Sequence, residues 1–264
     1  MEKKVKSKNN SVGARTSWGN VAFWYDDLLK KDNTYQKEVI LPNLLKLMDI
    51  KSSDNILDLA CGQGFFARAF AKLSAKVTGV DISDELIKIA QEQNTQNIIY
   101  KVSKANDLSF IKNDSLDKVS IILALQNIDN MSEVLKECRR VLKTKGKLYI
   151  VLNHPAFRIP KKSDWGYDEK NKIQYRRIEK YLSEIMINID MNPGEKIPKY
   201  KQYTASFHRP LQSYFKNLNN SGFLVSNLEE WISNKKSQNG PRQKAEDVAR
   251  KEIPMFMCIE SVKI

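Results

Sequence analysis

Long apolar runs are missing from this 264-residue sequence, and no stretch approaches the roughly 20 apolar residues that a membrane-spanning helix requires. The opening stretch MEKKVKSKNNSVGARTS has no apolar segment and does not read as a secretory signal. Cysteine is scarce. Cys61, Cys138 and Cys258 are far apart, odd in number and without C-x-x-C spacing, so neither a disulfide framework nor a thiolate metal site is expected. No metal is expected, and a reducing cytoplasm is the natural setting. Histidine is scarcer still, with only His154 and His208, which narrows any search for a proton-transfer group.

What the sequence does contain is enough apolar material for a sizeable core, 41% of residues, and a strong positive charge of +13. The charge is uneven. Residues 1–16 and residues 158–177 each carry a net +4, and the second stretch is interleaved with aromatics. The first reads as a solvated basic tail, leaving residues 17–264 as the folded domain.

Along that domain, apolar strands alternate with amphipathic helices. Strands are expected at Asn55–Leu59, Lys76–Val80, Ile98–Val102, Asp117–Leu125 and Lys147–Leu152. Helices are expected at Phe65–Ser74, from Ser83 to about Gln93, and over Ser132–Leu142. The pattern predicts an α/β fold: a doubly wound, mostly parallel sheet of seven strands with an antiparallel last strand. Residues 154–205 break the rhythm and read as an inserted cap with a helix around Tyr175–Ile189 and a Pro193-Gly194 turn. A helix at Leu211–Asn219 and strands at Phe223–Leu228 and Pro254–Val262 then complete the sheet.

The stretch LDLACGQGFFARAF, residues 57–70, ends a strand in glycine and enters a helix at once. A dinucleotide site would place G-x-G-x-x-G here, and Gly62, Gly64 and Ala67 partly satisfy it. Asp58, four residues before Gly62 and inside the strand, argues otherwise, because a carboxylate under the loop repels a pyrophosphate. A cationic ligand suits it better. Asp81, ending the next strand, can accept hydrogen bonds from ribose hydroxyls.

ILDLACGQG followed by VTGVDIS resembles motif I and the acidic strand end of class I S-adenosylmethionine-dependent methyltransferases, and the order of elements from 55 to 153 follows theirs. The resemblance implies S-adenosylmethionine as cofactor, a Rossmann-like fold and a transferase activity. It places the methionine end on Asp58 and the backbone of Ala60, Gly62 and Gly64, the ribose on Asp81, and the adenine against Ile82. Ala105 fits the position after the third strand. Lys104 stands where the family has an acid, leaving Asn106 or Asp107 to meet the adenine. Leu125, Gln126 and Asn127 fall where the family faces cofactor and methyl acceptor. SWGNVAFWYDDLL resembles the helix that closes over the cofactor, with Trp18, Trp24 and Tyr25 on one stripe, of which Tyr25 is the cofactor candidate.

SFHRPLQSYFKNLNNSGF resembles the segment before the sixth strand in small-molecule methyltransferases of the quinone, sugar and polyketide-tailoring kind. In these the insertion caps the acceptor. A small-molecule acceptor, methylated on oxygen or nitrogen, is therefore expected. His154 and His208 are the candidate bases, and Tyr175, Arg176 and Arg209, with Tyr167, Arg177 and Tyr181, are candidates to line a pocket for an acceptor able to carry an anionic group. Each of these has a purely structural alternative. Two other classes compete: an RNA or protein methyltransferase using the basic surface, and a non-catalytic cofactor-binding protein. Against nucleic acid, the sequence has neither Asn-Pro-Pro-Tyr nor a Pro-Cys nucleophile.

Overall fold

The computed structural model describes residues 18–30, 32–73, 75–93, 98–191 and 203–264, without the side chains of Asn20, Trp24 and Tyr25. The expected basic tail, the Tyr25 side chain and the Pro193-Gly194 turn lie outside the described residues. A helix α1 (Ala22–Lys30) follows a short 3-10 turn, and a π-helical turn leads into α2 (Leu41–Met48).

The core is a sheet of seven strands. Five are parallel: β1 (Asn55–Leu59), β2 (Lys76–Asp81), β3 (Ile98–Val102), β4 (Leu116–Ile122) and β5 (Leu142–Asn153). Helix α3 (Phe65–Ala71) joins β1 to β2, α4 (Asp84–Glu92) joins β2 to β3, and α5 (Met131–Val141) joins β4 to β5. Ser83 caps α4 as expected, its Oγ accepting from the Leu86 amide at 3.2 Å.

After β5 come two antiparallel ribbons. β6 (Ser163–Asp168) pairs with β7 (Ile173–Ile178), and β8 (Ile185–Asp190) pairs with β9 (Tyr203–His208). The helix expected around Tyr175–Ile189 is therefore absent. In β7, exposure alternates residue by residue from Ile173 to Ile178, the period of a strand, so ribbon pairing outweighs the helical pattern there. Helix α6 (Leu211–Asn220), strand β10 (Phe223–Trp231), helix α7 (Gln243–Glu252) and strand β11 (Phe256–Lys263) finish the chain. Helix α7 was not anticipated. β11 runs antiparallel between β10 and β5, giving the order β10-β11-β5-β4-β1-β2-β3.

Both sheet faces are covered, so strands read as nearly continuous apolar runs. In β1, Ile56 packs with Met48, Phe70 and Ile87 on one face, while Leu57 and Leu59 pack with Leu135 and Leu148 on the other. The strand order reverses between β1 and β4. Their carboxyl ends therefore part and leave a crevice.

Candidate active site

The loop from β1 into α3 carries the glycines. Ala60 and Gly62 take positive φ values of 59° and 56°, and Gly64, at 80°, starts α3. A Cβ on Gly64 would lie 2.3 Å from the Tyr100 hydroxyl, so only glycine fits. Ala60 holds this backbone despite its side chain, a strain that persists only where surrounding structure enforces it. Here the Cys61 amide donates to the Val80 carbonyl (3.0 Å) and the Gly62 amide to Asp81 Oδ2 (2.8 Å).

Asp81 is nearly buried, and its other oxygen accepts from the Ser83 amide at 2.9 Å. Burial pushes its carboxyl up while these backbone donors oppose the shift. Asp58 is buried more completely. Ser120 Oγ lies 3.3 Å from Oδ1, but no donor meets Oδ2 in hydrogen-bonding geometry. Burial raises the Asp58 carboxyl to about 7, with Asp81 adding to the rise and Ser120 and the Ala67 amide opposing it. An orphaned buried carboxylate oxygen is costly unless a ligand supplies its donor.

Both acids border a crevice of about 350 Å³ whose walls include Ala60, Gly62, Ile82, Ala105, Asn106 and Asn127. Ile82 is 47% exposed, an apolar surface on the crevice wall. Ser103, Lys104 and Leu123 also line it, and sequence reading missed them as lining residues. Gly64 shapes the turn and is not on the wall. Leu125 is not on the wall either: a 3-10 turn over Leu125–Asn127 buries it completely in the core against α5, and Leu123 and Ala124 take its place. Asn106 lines the crevice with its amide nitrogen donating to Glu133 (2.8 Å), leaving its oxygen available. Asp107 is not among the lining residues.

A second cavity of about 310 Å³ adjoins the crevice, sharing Trp18, Leu123 and Asn127 as walls. Its other walls include Asn153 at the end of β5, Arg158 in the loop after it, Ile189 of β8, His208 of β9 and Tyr214 of α6. Gln126 lines it as expected. Its nitrogen donates to the Leu123 carbonyl (3.0 Å), and its buried oxygen has no partner.

The two histidines differ. His154 is 1% exposed and does not line the cavity, and both ring nitrogens are engaged: Nε2 with Glu230 at 2.7 Å and Nδ1 with the Ala156 amide at 3.2 Å. With no free lone pair it is withdrawn as a base. His208 lines the cavity, and its Nε2–H donates to the Tyr181 carbonyl at 2.8 Å. That bond fixes the tautomer and leaves the lone pair on Nδ1.

The arginines also sort. Arg209 borders the cavity, but its guanidinium donates to the carbonyls of Ile128 (2.9 Å) and Asp129 (2.5 Å) and lies 3.5 Å from that of Leu125. It clamps the loop after β4. As a free fork for an acceptor it is corrected. Tyr175 and Arg176 stand on β7, which packs against α7, and neither lines the second cavity. The strand, replacing the expected helix, carries them elsewhere.

The methyltransferase-domain family matches residues 57–150. Among relatives, a ubiquinone biosynthesis O-methyltransferase of Xanthomonas oryzae is 31% identical over 98 residues, 36% of this chain and 41% of the relative. A demethylmenaquinone methyltransferase of Tropheryma whipplei is 32% identical over 113 residues, 42% of this chain and 46% of the relative. The matches thus span less than half the length of these curated relatives. A solved S-adenosylmethionine-dependent methyltransferase of Mesorhizobium loti superposes with a TM-score of 0.68 at 22% identity, covering 88% of this chain and 99% of that one, a likeness of fold. Residues 57–150 of this chain thus match the methyltransferase-domain family, on a fold shared with solved S-adenosylmethionine-dependent methyltransferases.

Proposed function

We propose that the protein transfers a methyl group from S-adenosylmethionine to a small-molecule acceptor held in the cavity beside the crevice. The observation that carries this is the buried, unpartnered Asp58 oxygen on a crevice that opens into a second cavity at Leu123 and Asn127. An ammonium would supply the donor Asp58 lacks, ribose hydroxyls would donate to Asp81, and the adenine would cover Ile82. Bound there, the cofactor supplies a methyl group on a sulfonium, and the leaving group is neutral. The protein's part is alignment, exclusion of water and, for a hydroxyl acceptor, removal of its proton. His208, with Nδ1 free, suits that last role, and Gln126 and Asn127 suit orientation.

The matched segment covers the cofactor half, so it says little by itself about the acceptor. The relatives' names point to quinone-type molecules, and a cavity of about 310 Å³ accommodates one aromatic ring with substituents. The ribbons β6–β7 and β8–β9 serve as the cap, α1 with Trp18 as the cover of the crevice, and the reducing cytoplasm, where the three free thiols stay reduced, as the setting. Among the described residues no helix is long and apolar enough to cross a membrane.

The test is twofold. Calorimetry should show binding of S-adenosylmethionine and its demethylated product, and labelled cofactor should transfer methyl to catechol-type hydroxyls. Tighter binding of NAD than of S-adenosylmethionine would overturn the reading.

A further inference from the structure

Behind the acceptor cavity lies a smaller one of about 30 Å³, walled by Arg158, Arg176 and Arg250 together with Trp165 and Ser233. Arg158 lines both cavities and so stands between them. Three guanidinium groups thus border one small space, and no carboxylate lines it. Two acids bear on the outer arginines, Asp164 on Arg176 and Asp247 on Arg250, and Asp190 lines the larger cavity that Arg158 shares. Arg176 is held by the Phe157 carbonyl and Ser163 Oγ, each at 2.8 Å, and lies over the Trp165 ring. Arg250 donates to Ser237 Oγ at 3.0 Å. The Arg158 guanidinium has neither a hydrogen bond nor an ion pair among the described residues. Arg158 is partly buried, and that burial holds its guanidinium below the usual range; Tyr35 opposes the shift and Arg250 adds to it. A cation in that position is costly until an anion arrives.

We propose that Arg158, backed by Arg176 and Arg250, is an anion-binding subsite, and that the methyl acceptor carries a carboxylate or phosphate that enters it while the rest of the molecule occupies the larger cavity. The space suits one such group and no more: a water needs about 10–15 Å³. A guanidinium meets a carboxylate or phosphate with two parallel hydrogen bonds, which fixes the acceptor's direction as well as its affinity. The subsite rests on the second cavity being the acceptor's, and it sets specificity without touching the reacting atoms.

The full chain, saturated with S-adenosylhomocysteine, is titrated by calorimetry with phenol, 4-hydroxybenzoate, phenyl phosphate and inorganic phosphate. At least one of the two anionic phenols should bind tenfold or more tightly than phenol, and which one does so distinguishes carboxylate from phosphate. Inorganic phosphate should compete with it. Arg158→Gln should abolish the preference while leaving S-adenosylhomocysteine affinity within twofold, and Arg158→Lys should restore part of it. Equal binding of neutral and anionic phenols, no binding of either anionic phenol at 10 mM on the order of a weak metabolite site, or a preference that survives Arg158→Gln overturns the subsite. Failure of S-adenosylhomocysteine itself to bind overturns the methyltransferase reading instead and leaves the anion titration to be judged alone.

Discussion

Asp58 concentrates the chemistry of the crevice into one side chain. Its folded carboxyl is raised to about 7, so the folded protein holds a proton that the unfolded chain gives up near pH 4. Stability is therefore fullest below the unfolded value and is lost as pH rises through about 7, by on the order of 4 kcal/mol at about 1.4 kcal/mol per pKa unit. Asp58→Asn should flatten that fall, and denaturant unfolding of the ligand-free protein at pH 5 and pH 8 measures it. Identical slopes in both proteins would mean the carboxyl is ionised throughout. In the proposed function the cofactor's ammonium meets the Asp58 carboxylate, so binding below pH 7 should release a proton, visible in buffers of different ionisation enthalpy. The histidines make a second contrast. His208→Gln should lower kcat by roughly 10²–10⁴ with cofactor affinity within a few-fold. His154→Gln should cost about 1–3 kcal/mol of stability, because Glu230 and the Ala156 amide lose a buried partner, and leave kcat near wild type. The reverse pattern would exchange the two roles.

At the scale of elements, Arg209 links the entry of α6 to the turn after β4. Arg209 donates from Nη2 to the Ile128 and Asp129 carbonyls and from Nη1 to that of Leu125, and lysine offers one nitrogen in place of these two, so Arg209→Lys should cost about 1–3 kcal/mol of stability and weaken both cofactor and acceptor binding. Thermal unfolding with calorimetry checks this; a higher acceptor KM at unchanged Tm would instead return Arg209 to direct acceptor contact. The β-α alternation was legible because both faces of the sheet are buried and Gly62, Gly64, Asp58 and Asp81 obey local backbone rules. The cap was not. IQYRRI has too few apolar residues to declare a period, and its conformation is set by pairing with Ser163–Asp168. Leu125 was misplaced because a single 3-10 turn reverses which side chain faces the crevice. Arg158 was passed over because its meaning lies in lacking a partner, which no sequence displays.

For the whole molecule, the question is what the net charge of +13 does. A surplus of lysine and arginine attracts any polyanion, with an affinity that falls steeply as added salt makes counterion release less favourable. The proposed function points elsewhere. Its two adjoining cavities, about 350 and 310 Å³, have room for a nucleoside-like ligand and one small acceptor, and Arg158 lines the second of them. Charge and site therefore make separable predictions. RNA should bind weakly at 150 mM salt, a value on the order of physiological ionic strength, with a steep salt dependence. A saturating excess of it should leave methyl transfer to a small acceptor within twofold. Deleting residues 1–16, with their net +4, should reduce RNA retention and leave turnover nearly unchanged. Filter binding and labelled transfer, run in the same tubes, read both quantities. Methyl label entering RNA, and lost on that deletion, would make nucleic acid the substrate and the cavity beside the crevice a pocket for a single base.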